Sequence, residues 1–214
     1  MLGNGAGING YCNNNYDDNN SPLRFVDTLC DHSCNKHILL LYEDAEYGRK
    51  IQFRFIKNGL LKGEHCILST PEDNIEFIKN EMTHNYGIDV EYFTKKKKLL
   101  HLYKITNPMN NQEGELKGFQ EIMNTILADS KPPFRVVARG IPEVLTQEQI
   151  LANINMEHTF HTSFHNFPGC FMCPYPVDKM EPKMHSKWLV DILQYHHAAI
   201  FAPKLGQGIG FNIT

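Results

Sequence analysis

Residues 37–70 read HILLLYEDAEYGRKIQFRFIKNGLLKGEHCILST. The run His37-Ile-Leu-Leu-Leu-Tyr42 is apolar without alternation, as a parallel strand covered on both faces must be. Asp44 is placed to cap a helix, and Tyr47, Ile51 and Phe55 recur every fourth residue along one face of it. Asn58-Gly59 marks the end of that helix, and Glu64 to Thr70 forms a second apolar strand. Strand, helix and strand in this order make a βαβ unit, which calls for a parallel sheet.

The alternation continues outward from this unit. Thr70-Pro71-Glu72-Asp73 offers an N-cap, a proline at the first helical position and acids in the first turn. Ile75, Ile78 and Met82 form one helix face, and Gly87 stops it. Val90 to Phe93 and Leu99 to Ile105 read as strands on either side of the solvated turn Lys95–Lys98. Leu116, Phe119, Met123 and Ile126 mark a helix that ends before Pro132-Pro133. Phe134 to Ala138 is a strand, and Thr146 with Gln149 makes a capping box for a helix carrying Ile150, Ile154 and Phe164. Gly169 to Tyr175 is a strand. Pro182 opens a helix with Met184, Trp188 and Ile192, and Ala198 to Ala202 is a final strand. The fold class is therefore α/β, a three-layer αβα sandwich around a mostly parallel sheet. Residues 1–24 are rich in Asn and Gly and read as a disordered leader, residues 25–205 as one domain, and residues 206–214 as a tail.

Composition narrows the function. A net charge of −3 over 214 residues gives no basic footprint for nucleic acid. No run of eighteen apolar residues spans a membrane, and no secretory signal opens the chain. Six cysteines are too sparse for a disulfide scaffold, so reduced thiols and a cytoplasmic location are expected. A homo-oligomer is compatible with this composition but not specified by it.

Parallel sheets bind ligands outside the carboxyl ends of their strands. That rule selects Tyr42, Glu43 and Asp44, then Ser69 and Thr70, Arg139, and finally Cys173 and Tyr175. Arg139 suits an anionic group, and the aromatic rings suit a small organic body.

His37-Ile-Leu-Leu-Leu-Tyr42, Phe55, Asn58-Gly-Leu-Leu-Lys-Gly-Glu64, Gly87-Ile-Asp-Val90, Cys173-Pro-Tyr175 and His196 together resemble the MEDS domain. This is a sensory domain of methanogens and methylotrophs, named partly for a regulator of dichloromethane dehalogenation. The resemblance spans roughly residues 36 to 203. It implies a non-enzymatic α/β input domain that binds a small organic, hydrocarbon-like ligand and reports to a regulator or kinase. It also implies a stripped relative of RecA-type ATPases of the KaiC kind. Such an ATPase follows its second strand with Gly-x-x-x-x-Gly-Lys-Ser/Thr. Here Cys66-Ile-Leu-Ser-Thr70 runs instead into Pro71-Glu-Asp-Asn-Ile75, with no glycine to wrap phosphate and no lysine for its oxygens. Nucleotide hydrolysis is not expected. The chain has no room for a DNA-binding or kinase module, so output in trans to a signalling partner is expected. His37 begins its strand and Tyr42 ends it, roughly 16 Å apart, so the two cannot share one small site directly.

Two alternatives come from other classes. His158, His161 and His165 share a helix face, with Glu157 one turn from His161. They could hold zinc, completed by His185, His196 or Cys173, and an open coordination position would make a hydrolase. A pure interaction module, a degenerate ATPase docking on a true ATPase or kinase, is the other. Cys30-Asp-His32-Ser-Cys34 supplies three donors in a loop, and the thiols of Cys170 and Cys173 point to opposite faces of their strand.

Overall fold

The computed structural model describes residues 20–29, 35–70, 75–104, 124, 128, 130–138, 146–178 and 182–213. Along them run Pro22–Thr28 (α1), Lys36–Tyr42 (β1), Ala45–Lys62 (α2), His65–Thr70 (β2), Ile75–His84 (α3), Leu100–Lys104 (β3) and Phe134–Val137 (β4). Gln147–Ser163 (α4), Gly169–Pro176 (β5), Pro182–Leu193 (α5), Ala198–Ala202 (β6) and Ile209–Asn212 (β7) complete the order.

The seven strands form one sheet in the order β3-β2-β4-β5-β1-β6-β7. Every pairing from β3 across to β6 is parallel, and β7 returns antiparallel to β6. The chain leaves β1 in one direction to reach β2, and leaves β5 in the opposite direction, past β1, to reach β6. Right-handed crossovers then place the two connecting helices on opposite faces. The two apolar cores follow this division. Ile38 and Leu40 pack with α1, α2 and α3 through Phe25, Ile51, Phe55 and Ile78. Leu39 and Leu41 pack with α4 and α5 through Ile150, Met156, Trp188 and Ile192. Burial on both faces explains why β1 shows no polar alternation.

Local chemistry sets the boundaries. The Asp44 carboxylate accepts from the Tyr47 amide at 2.6 Å and opens α2. Thr146 and Gln149 form the reciprocal capping box of α4, with bonds of 3.2 and 3.0 Å.

Four boundaries differ from expectation. α2 does not stop at Asn58-Gly59 but runs on to Lys62, where Gly63 adopts a left-handed φ of 78° and donates to Gly59 and Leu60 carbonyls. Gly59 is needed for proximity instead: a Cβ there would sit 2.7 Å from Arg135 Cδ and 2.8 Å from Cys66 Sγ. Val90–Phe93 is not a strand. The Asp89 carboxylate accepts from the Tyr92 amide at 2.9 Å and caps a helical turn, with π-type winding over Tyr92–Lys96. Part of the expected tail, Ile209–Asn212, pairs with β6. The folded region begins earlier than residue 25, since α1 opens at Pro22. The expected helix at 116–126, apart from residue 124, and the Cys30–Cys34 segment lie outside the described residues, as does Arg139.

Asp27 of α1 binds Arg54 of α2 through two bonds, of 2.7 and 2.6 Å, and also accepts from Asn58 at 2.8 Å. The Arg54 hydrogen bond holds the Asp27 carboxyl below its ordinary value. A depressed carboxylate stabilises the fold above the unfolded-state pKa and stops doing so as pH falls through the folded one. Both groups are well exposed, so Arg54→Ala should cost no more than about 1 kcal/mol at neutral pH. Urea melts of the variant and parent should converge in acid.

Candidate functional site in the α4 and α5 layer

The register of β1 on β5 pairs His37 with Phe171 and Leu39 with Cys173. His37 and Cys173 thus lie diagonally on adjacent strands, on the face that α4 and α5 cover. The backbone at His37 is pinned to the loop after α5: His197 donates its amide to the His37 carbonyl at 2.8 Å, and the His37 amide donates to His197 Nδ1 at 2.9 Å. That loop carries His196. α4 turns the stripe Ile150, Asn153, Glu157, Phe160 and Phe164 toward the sheet, with Glu157 over the two strands.

Four side chains therefore meet. His37 Nε2 lies 3.2 Å from Cys173 Sγ and 3.2 Å from Glu157 Oε2. His196 Nε2 lies 3.6 Å from the same carboxylate oxygen, and Cys173 Sγ lies 3.7 Å from it. The four donor atoms all fall within 4.8 Å of one another, and all four residues are buried. Aromatic rings enclose them. His37 stacks on His196 with centroids 3.9 Å apart and on Phe164 at 5.3 Å, and Phe160 meets it edge-on at 4.9 Å.

A second layer orients the carboxyl. Tyr175 donates its hydroxyl to Glu157 Oε1. Asn153 Nδ2 donates to that hydroxyl oxygen at 2.6 Å, and Trp188 Nε1 donates to Asn153 Oδ1 at 2.8 Å. His196 Nδ1 donates to the Ile192 carbonyl at 2.9 Å, which leaves Nε2 as an acceptor.

Burial dominates the electrostatics. Desolvation, then repulsion from His161, holds His37 well below the ordinary imidazole value. Desolvation and the proximity of His37 push His196 down to about 3. Desolvation and the Glu157 charge hold the Cys173 thiol and the Tyr175 hydroxyl well above their ordinary values. Both imidazoles are therefore neutral at neutral pH, and the carboxylate has no cation beside it within the cluster.

Residues 36–196 match the family described as the MEthanogen/methylotroph, DcmR Sensory domain, or MEDS. The chain belongs to the MEDS family. Among solved structures it is similar to a KaiC-like protein from the hyperthermophilic archaeon Pyrococcus horikoshii OT3, at 15% identity and a TM-score of 0.54. The likeness covers 82% of this chain and 76% of that one, and it shows the KaiC-like, RecA-type fold. The comparison with curated proteins returns no match.

Within this MEDS domain the residues singled out in the sequence fall into separate groups. His37 and Cys173 come together, and Tyr175 reaches the same cluster through Glu157. Tyr42, half-buried at the end of β1, packs with the core on the opposite face, and Glu43 beside it is exposed. Thr70 ends β2 at the same edge of the parallel sheet as Tyr42. His158, His161 and His165 do not gather as donors. His158 and His165 are exposed, and only His161 is half-buried, 6.0 Å from His37 by ring centroid. The rotation of α4 that buries Phe160 and Phe164 turns Glu157 inward in their place. Sequence reasoning missed Glu157 and His196 as partners of His37. The available signal was Asn153 and Glu157, two polar residues in an otherwise apolar helical stripe.

Proposed function

We propose that this MEDS domain is a non-enzymatic sensor that binds a small organic ligand at the carboxyl edge of its sheet. Its signal passes in trans to a regulator or kinase. Family membership supplies the sensory role. The observation that carries the non-enzymatic reading is the sequence after β2. A RecA-type ATPase grips phosphate at that point, and here it reads Pro71-Glu-Asp-Asn, which offers two acids to a polyanion. Tyr42 and Thr70 stand at that edge as recognition groups, with Glu43 and Arg139 following their strands. No helix among the described residues is long and apolar enough to cross a membrane, and a cytoplasmic sensor fits that.

The test is a thermal-shift and calorimetric titration with dichloromethane, methanol and trimethylamine beside Mg-ATP. Saturable stabilisation by at least one of the organic probes is expected, lost in Thr70→Val and Tyr42→Ala, with no ATP turnover. ATP hydrolysis that disappears when residues 69–73 are altered would overturn the reading. So would the absence of a shift with all three organic probes.

A further inference from the structure

Hydrogen bonding accounts for only part of the cluster around Glu157. His196 Nε2 is buried with no hydrogen-bond partner among the described residues. Because Nδ1 of the same ring donates to a carbonyl, Nε2 presents a lone pair to the lone pairs of Glu157 Oε2 at 3.6 Å. Two acceptors aimed at each other in a buried site repel unless a cation lies between them.

We propose that His37 Nε2, Glu157 Oε2, Cys173 Sγ and His196 Nε2 together bind one zinc ion. Zinc bond lengths near 2.0–2.2 Å to nitrogen and oxygen and 2.3 Å to sulfur put tetrahedral donors roughly 3.3–3.6 Å apart. Four of the donor separations, 3.2, 3.2, 3.6 and 3.7 Å, lie within about 0.1 Å of that range, and all lie within 4.8 Å. The donor set of two imidazoles, one thiolate and one carboxylate suits zinc. Binding releases the Cys173 proton. Thiolate and carboxylate then neutralise the divalent charge, and the buried site becomes neutral as a whole.

The supporting layer has the form that metal sites require. The His196 tautomer is fixed by Ile192, and the carboxylate is held through Tyr175, Asn153 and Trp188. Four protein ligands leave no open position, so the ion would join β1, β5, α4 and the loop after α5 rather than hydrolyse a substrate. It is a different site from the carboxyl edge proposed for the organic ligand, and it stands or falls separately.

The full chain, expressed with zinc supplementation and desalted, should carry about one equivalent of zinc by mass spectrometry. Replacement by cobalt should give tetrahedral visible bands and a thiolate-to-cobalt charge-transfer band. Cys173→Ala should remove the charge-transfer band, and His196→Ala should weaken the metal by more than the 10–100-fold typical of losing a supporting partner. His158→Ala and His165→Ala should leave both signals intact. The cobalt spectrum of the unaltered chain decides the matter even if a variant fails to fold. Lack of a charge-transfer band there would overturn the proposal, as would zinc content undiminished in Cys173→Ala and His196→Ala.

Discussion

Glu64→Ala should lower the unfolding free energy of this domain by about 3–5 kcal/mol. Glu64 follows the glycine that closes α2, and Arg135 lies in β4. The guanidinium donates to both carboxylate oxygens, Nε at 2.7 Å and Nη2 at 3.0 Å. Its Nη1 donates to the Phe55 carbonyl at 2.9 Å, and its Cζ lies over the Phe55 ring, 4.8 Å from the centroid. Arg135 is 1% exposed and Glu64 8% exposed as side chains, so little solvent screens the pair. Removing the carboxylate takes the opposite charge away from a buried guanidinium, and the desolvation cost of that charge is no longer offset by it. Glu64→Gln keeps the shape and one acceptor, and should cost less. The double variant Glu64→Leu/Arg135→Met removes both charges and should recover most of the loss. Urea denaturation of the three variants checks the order. A cost below about 1 kcal/mol for Glu64→Ala would mean the pair behaves as an exposed one. The contrast with Asp27–Arg54 is one of burial, since both are two-pronged.

The Glu64–Arg135 pair also shows which parts of the fold the sequence reveals. The Gly-Leu-Leu-Lys-Gly-Glu stretch is legible as the end of a helix and the start of a strand. Its geometry is not legible, because the reason for Gly59 is an arginine from a strand more than seventy residues later. Elements whose signals are local were recoverable: the unbroken apolar run of β1, the Asp44 cap and the Thr146–Gln149 box. Val90–Phe93 misled because a short apolar run has no period of its own, and the deciding atom was the Asp89 side chain before it. β7 was missed because its strand character comes from pairing with β6 rather than from its composition. The site divides in the same way. His37 and Cys173 stood out individually, but their convergence depends on β5 lying beside β1. That order is set by two crossovers on opposite faces, and no single stretch of sequence encodes it.

Trp188→Ala should be as severe as the loss of Glu64, about 3–5 kcal/mol, and should act on the buried cluster as well as on the core. Trp188 is fully buried on α5 and meets the Tyr175 ring edge-on with centroids 5.4 Å apart. Truncation opens a cavity between α4, α5 and β5. It also removes the donor that Asn153 Oδ1 accepts, at the head of the chain that runs through Tyr175 to Glu157. Trp188→Phe separates the two effects. It fills most of the space but leaves Asn153 Oδ1 buried without that donor, a cost of about 1–3 kcal/mol. If the chain of hydrogen bonds orients the carboxylate, Trp188→Phe should weaken cobalt binding while the protein remains folded. Asn153→Leu should do the same, because it breaks the chain one link closer to Glu157. Thermal melts read the stability, and the cobalt charge-transfer band, titrated at fixed protein concentration, reads the affinity. An unchanged cobalt affinity in both folded variants would mean that Trp188 supports the core alone, and that Glu157 is held by Tyr175 without help from the helix above it.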